Sequence, residues 1–243
     1  MSAIDSPETA ISSPTNRAWR KLKAHKGAVV GLCIVGFFTL LALAAPLLPI
    51  PDPNATSWTA IRKAPSLLHP LGTDELGRDI LARMIWGARA SLSAGFFSVT
   101  LAVSIGVPLG ILSGYFGKWF DILVSRITEA FLAMPFLITA IALAAFLGPS
   151  LINSMIAIAL SALPIFVRLT RGQVLAVKTE EYVEGARSIG LGPVAIMVRY
   201  IFPNVLPPIL VQATLTVATA IIAEASLSFL GLGQQPPAAS WGS

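Results

Sequence analysis

The chain has 243 residues, 55% of them hydrophobic and 12% charged, with 18 prolines, 19 glycines and one cysteine. Its mean hydropathy is +0.76. Charged residues are about half as frequent as in an average soluble domain, and apolar ones recur in runs of about 20, enough to cross a bilayer. That excludes a water-soluble fold and points to an all-α polytopic membrane protein, where proline and glycine are tolerated if neighbours satisfy the backbone. Cys33 alone supports neither a disulfide nor a cysteine metal site. The net charge of +5 reflects basic residues held on the cytoplasmic side rather than a nucleic-acid partner.

Residues 1–26 read as a cytoplasmic N-terminal tail and 27–243 as the transmembrane domain. Residues 1–16 are rich in Ser, Thr and Pro, a disordered composition. Arg17, Arg20, Lys21, Lys23 and Lys26 follow, directly before an apolar run over 28–48. The run is too long and starts too late for a cleavable signal peptide. It is predicted as the first span, its N-terminus held in the cytoplasm by the preceding charges.

Residues 49–90 form a long external connection. Its first half is proline-punctuated loop, and an amphipathic helix at the interface is expected within 71–92. Arg78, Asp79 and Arg83 lie on the polar side there; Ile80, Leu81, Met84 and Ile85 lie on the apolar one. The five Lys/Arg of this connection argue against an external position, but the parity of the spans requires one. His25 and His69 lack metal-ligand company and read as solvated.

The second span covers 92–114, with Gly106, Gly110 and Gly114 every fourth residue, a small-residue ridge that permits close helix approach. Pro108 predicts a kink. The third span covers 122–147, a tight turn 148–150, and the fourth span 151–169, ending at Arg168 and Arg171. The fifth covers 205–230, and a polar loop closes the chain.

Between the fourth and fifth spans lies TEEYVEGARSIGLGPVAIMVRYIFP, residues 179–203. Thr179 can cap a helix and Glu180 and Glu181 suit its positive end. Glu184 and Arg187, three apart, share a face. Gly190 and Gly192 break the helix, Pro193 opens a second one, and Pro203 closes it. Span parity puts 170–203 in the cytoplasm as either a docking surface or an amphipathic loop on the headgroups.

Three features put polar groups inside spans. Arg126 and Glu129 are three apart near the start of the third span, a candidate intramembrane pair. Glu224 lies in the fifth span with no charge nearby in sequence; an intramembrane carboxylate is costly and marks a path or a specific polar contact. It could equally be a packed, hydrogen-bonded glutamate. With Gln212 and Thr216 it makes this span the most polar, and these three are candidate path or gate residues. Asn153 and Pro164 read as packing and bend features. No G-x-x-x-x-G-K-[ST] loop and no serine–histidine–acid constellation is present, so no residue set for ATP hydrolysis or other catalysis is visible. Uphill transport would draw on a partner or an ion gradient.

EGARSIG (184–190) followed by IFPN (201–204) resembles the cytoplasmic loop of the membrane subunits of bacterial binding-protein-dependent ABC importers. Glu184, Ala186, Gly190 and Pro203 keep its spacing; Gly185 replaces the middle Ala, and Phe202 stands where Leu is usual. HPLGTDELGRDILARMIWGARASL (69–92) and ASLSFLGLGQQPPAASWG (225–242) resemble the dipeptide, oligopeptide and nickel subfamily, in particular the second of its two permease subunits. The resemblance implies a type I importer transmembrane fold, with five of an expected six spans visible and the C-terminal span missing. It implies coupling helices that sit in a cleft of the ATPase and carry its closure to the spans. The implied partners are a second homologous permease subunit, two ATP-binding subunits that hold ATP and Mg, an external substrate-binding protein, a peptide substrate and membrane lipid. The location implied is the bacterial inner membrane. The same subfamily leaves a nickel importer open, and Glu224 leaves an ion-coupled secondary transporter.

Overall fold

The computed structural model describes Arg20 and residues 22–242, and among these there is no strand, only an isolated bridge between Thr73 and Asp79. The tail expected to be disordered, with Arg17 and Lys21, lies outside the described residues. The helices in chain order are α1 (Lys26–Ala44), α2 (Ile80–Phe116), α3 (Lys118–Leu132), α4 (Phe136–Leu147), α5 (Leu151–Val177), α6 (Glu181–Ser188), α7 (Pro193–Ile196) and α8 (Phe202–Phe229). Four are long and apolar enough to cross a membrane: α1 with the 3-10 turn after it, α2, α5, and the run Pro193–Phe229. The α3–α4 pair, bent by 95°, makes a fifth if it counts as one span.

Helix α2 is the mast of the fold, and it packs along α5 because it has no side chains where they meet. A Cβ on Gly106 would fall 2.9 Å from Phe166 Cβ, one on Gly110 2.8 Å from the Val167 carbonyl oxygen, and one on Gly114 2.8 Å from Val174 Cβ. The expected glycine ridge is therefore the α2–α5 contact. The other half of α2 continues the same logic against α8, where a Cβ on Gly95 would meet Ile221 at 2.6 Å.

The helices define two ends. At the loop end, residues 48–79, the turn 148–150 and residues 230–242 come together. There the Trp241 indole donates to the Met84 carbonyl at 3.0 Å, and Ser150 N–H donates to the Leu232 carbonyl at 3.3 Å. Phe38 of α1 meets Trp241 edge to face, with centroids 5.7 Å apart. At the far end, Lys178 Nζ donates to the Gly114 carbonyl at 2.8 Å, and α6 and α7 sit beyond.

Several boundaries differ from the expectations. Residues 71–79 are irregular and Ile80–Leu92 is no separate interfacial helix but the first third of α2. Asp79 starts it by accepting from Ala82 N–H at 2.7 Å, and no breaker follows. Pro108 lies inside α2 without ending it. The third span is not one helix: Pro135 lacks an N–H and disfavours helical backbone at the residue before it, and α3 ends at Leu132 with α4 beginning at Phe136 at a sharp angle. The fourth span runs on to Val177. Pro203 closes nothing. It stands in the first turn of α8, where a missing N–H is harmless, and a π-helical turn over Met197–Ile201 joins α7 to α8. Thr179 is no cap either: Glu180 holds that position without a side-chain bond, and the Thr179 hydroxyl donates to the Ala176 carbonyl. His69 is not merely solvated, because Nδ1 lies 2.9 Å from Asp79 Oδ2. Asn153 holds the 148–150 turn, its amide donating to the Leu147 and Gly148 carbonyls.

A candidate docking surface and the polar contacts of the spans

Helix α6 is anchored by two small apolar residues, Val183 and Ala186, both buried. Its end is a Schellman turn. Gly190 takes φ +81°, Leu191 N–H donates to the Ala186 carbonyl at 3.2 Å, and Gly190 N–H donates to the Arg187 carbonyl at 3.0 Å. Leu191 then packs against the core, and Ile196, Met197 and Ile201 fix the following turns. A Cβ on Gly190 would meet nothing within 4 Å, so what calls for glycine within this chain is the left-handed backbone, not lack of room.

The opposite face of this unit points away from the spans. Tyr182, Glu184, Gly185, Arg187, Ile189 and Val194 are exposed. Glu184 and Arg187 make no ion pair with each other or with any other described residue. Of the four residues singled out by spacing, Glu184 and Gly190 thus reach the outer surface, Ala186 is an inward anchor, and Pro203 is an exposed backbone element of α8. The apolar knobs Ile189 and Val194 were not singled out. Their signal was present, since an apolar residue beside a glycine turn in a polar segment has no core to fill.

Within the spans the structure separates the other candidates. Glu224 is fully buried and accepts from the Ser91 hydroxyl of α2 at 2.6 Å and from the Ser228 hydroxyl, one turn on, at 2.7 Å. Ser91 Oγ also receives Trp241 N–H at 3.3 Å, and Ser228 Oγ receives Gln234 N–H at 2.9 Å. Glu224 therefore lines no open path in this conformation; it ties α8, α2 and the 230–242 segment together. Gln212 and the buried Thr216 bond to each other along α8 at 3.2 Å. Arg126 and Glu129 do pair, at 3.0 Å, but with side chains 77% and 63% exposed.

The pair that holds α3 to α5 is a different one. Arg171 donates from Nε and Nη2 to the two oxygens of Asp121 at 2.5 and 2.7 Å, and the Ser113 hydroxyl of α2 donates to Asp121 at 2.5 Å. Asp121 and Arg171 are fifty positions apart, beyond the reach of any local pattern. At the loop end, Asp74 organises a second charged cluster. Partial burial raises its pKa, but the N–H groups of Arg78 and Leu76 and the Arg78 guanidinium outweigh this and hold the carboxyl below its ordinary value. Arg83 of α2 ties this cluster to both loops, donating to the Pro53 and Pro237 carbonyls at 3.4 and 3.2 Å. Among the described residues no group of three or more His, Cys, Asp or Glu is placed to hold a metal.

Residues 106–243 match the family described as binding-protein-dependent transport system inner membrane component, and residues 13–65 match the N-terminal transmembrane domain of oligopeptide transport permease C. The chain is 47% identical to the dipeptide transport system permease protein DppC of Alkalihalophilus pseudofirmus, over 96% of this chain and 77% of that protein. It is 40% identical to the di/tripeptide transport system permease DppC of Pseudomonas aeruginosa, over 97% of this chain and 80% of that one. It is also 38% identical to the glutathione transport system permease GsiD of Pectobacterium atrosepticum, over 97% and 78%. Among solved structures, the inward-facing MetNI methionine ABC transporter aligns with a TM-score of 0.57 at 24% identity, covering 64% of this chain and 77% of that one, a likeness of fold. With its glycine-ridged helical spans and no strand among the described residues, the chain belongs to the inner-membrane permease components of binding-protein-dependent transport systems.

Proposed function

We propose that the chain is one of two homologous membrane subunits of an ATP-driven importer of short peptides. It forms half of the translocation path and is driven through residues 179–203 by two ATP-binding partners. One observation carries the reading. The α6–α7 unit is fastened to the span core by buried apolar residues while its outer face offers unpaired Glu184 and Arg187 beside the exposed Ile189 and Val194. An idle loop has no need of that anchoring. ATP and Mg belong to the partners, and this chain supplies the part they move. Closure of the ATPase pair biases the spans between two states, a population shift conveyed by contact.

The far end, with the start of α1, then lies in the cytoplasm, and the loop end receives peptide from an external binding protein. The names of the relatives support peptides as the cargo; none of the three names nickel or an ion-coupled carrier. Glu224 acts in this reading as the lock that keeps the loop end closed on α2, with Gln212 and Thr216 stiffening α8 beside it.

Co-purification from native membrane is the test. A second permease subunit and two ATPase subunits accompany the wild-type chain. Gly190→Val, which forces a β-branched residue into the left-handed region at a cost above the ~1–2 kcal/mol of an ordinary L-residue, reorients Ile189 and loses ATP-driven uptake while the two permease subunits stay together. Unchanged uptake by Gly190→Val would contradict the docking role, and a chain that purifies alone would contradict the complex.

A further inference from the structure

The far end holds an opening of about 320 Å³ between α3 and α5, lined by Ser125, Thr128, Glu129, Val167, Arg168 and Arg171. That is the lower end of the ~300–1,000 Å³ range of small-molecule sites. Of its charged walls, Arg171 is satisfied by both oxygens of Asp121. Arg168 is not: it is exposed and makes no ion pair or hydrogen bond with any described residue. Yet it stands on α5, nine residues before the helix ends at Val177, roughly 13 Å along the axis. An arginine near the inner end of a membrane span turns toward water or a polar cavity rather than lipid.

The opposite wall carries the other sign. Glu129 lies in the last turn of α3, whose C-terminal carbonyls add negative potential and whose last turn has no basic residue to offset them. Its partner Arg126 is largely exposed, so that pair is weak, and Arg171, which also faces it, is already held by both oxygens of Asp121. Just beyond α3 the backbone breaks at 133–135, with Ala133, Met134 and Pro135 exposed. Irregular backbone at membrane depth is tolerated where it is buried in protein or lines a water-filled cavity, and never against lipid. Arg168 thus borders this opening, and the exposed break at 133–135 follows α3 directly.

We infer that this opening is a subsite for the charged termini of a peptide in transit: Arg168 takes the carboxylate, and Glu129 with the C-terminus of α3 takes the ammonium. The inference rests on the reading that peptides cross this chain and assigns the residues that meet them near the inner mouth. Thr128 and Ser125 supply hydroxyls between the two poles, and Val167 is the one apolar wall.

The test is made on the whole transporter in nanodiscs of zwitterionic lipid, without nucleotide or binding protein, titrated calorimetrically with dialanine, dialanine amide and N-acetyl-dialanine. Wild type binds dialanine about tenfold or more tighter than either blocked form, the size expected for losing one charge-assisted contact. Arg168→Gln brings dialanine down to the level of the amide and leaves the amide unchanged, Arg168→Lys restores part of the difference, and Glu129→Gln removes discrimination against the acetylated form. Equal binding of dialanine and its amide by wild type overturns the subsite, and that comparison needs no variant to fold. A loss of retained phosphatidylglycerol in Arg168→Gln, with peptide binding unchanged, also overturns it in favour of a lipid headgroup. ATP-driven dialanine uptake by the wild-type transporter with its binding protein is measured alongside. Absent uptake defeats the peptide reading itself; uptake with equal binding of the blocked forms defeats the subsite alone.

Discussion

The two ends of this molecule use charge in opposite ways. At the loop end almost every charge is spent inside the chain. Asp74 takes Arg78, Asp79 takes His69 and caps α2, and Arg83 bridges two loops across the mouth of the helices. At the far end the Asp121–Arg171 pair ties α3 to α5, but the α6–α7 unit beyond it is anchored by apolar residues and leaves the charges of α6 unpaired on the outside. Satisfied polar groups hold a shape, and the contrast supports the proposal that the outer face of α6 and α7 is a contact surface.

The largest effect is expected where neither end is concerned. Gly110→Leu puts a side chain where a Cβ alone would lie 2.7 Å from Thr170 Cβ and 2.8 Å from the Val167 carbonyl oxygen. Backbone cannot give way as a flexible side chain can, so the cost exceeds the ~1–3 kcal/mol of ordinary overpacking. No folded chain should be recovered by size-exclusion in detergent. Recovery of a normal, stable protein would mean that α2 and α5 do not meet along this ridge.

Glu224→Ala comes next and bears on the loop end. It leaves the Ser91 and Ser228 hydroxyls without their acceptor in a fully buried place, at about 1–3 kcal/mol for each group left unsatisfied. Thermal unfolding in detergent should drop by several degrees, and proteolysis should reach residues 230–242 first. Glu224→Gln keeps an acceptor and should recover most of the loss. If Glu224→Ala instead left stability intact and changed uptake alone, Glu224 would belong to the path and not to the closure.

Much of this was legible in the residues. The apolar runs, the four-residue glycine spacing and the helix and glycine turn of 181–192 follow from local pattern and are kept, whereas the second helix runs on past Pro203 into α8 and the third apolar run is broken. The long-range polar bonds are different in kind. Nothing within a window of the sequence pairs Asp121 with Arg171, or Glu224 with Ser91 more than a hundred positions away. Only the packing of three helices brings those groups together. The fusion of residues 80–92 into α2 was hidden because polar side chains suggested an interface, whereas Arg83 buries its charge against loop carbonyls. The break in the third span had a readable cause in Pro135, whose effect on the residue before it outweighs an apolar composition that favoured one continuous span.

The smallest effect concerns pH at the loop end. Because the Asp74 carboxyl is held below its ordinary value, its contribution is complete above about pH 3.9, the unperturbed aspartate value. It is lost as pH falls through the lower folded-state value. Wild type should therefore unfold at a higher temperature than Asp74→Asn near pH 6, with the gap shrinking below about pH 3.9. A gap that did not shrink at all as the pH fell below that value would show that Asp74 acts through shape and not charge.

The claim that the far end is the driven surface is tested most directly by contact. In a chain carrying Cys33→Ser, a cysteine placed by Ile189→Cys, where the native side chain is 76% exposed, is compared with one placed by Leu67→Cys, fully exposed at the loop end. A thiol cross-linker is then applied to native membranes. The cysteine at position 189 should join an ATPase subunit and the one at position 67 should not. Cross-linking from position 67, or from neither position in a transporter that still takes up peptide, would contradict it.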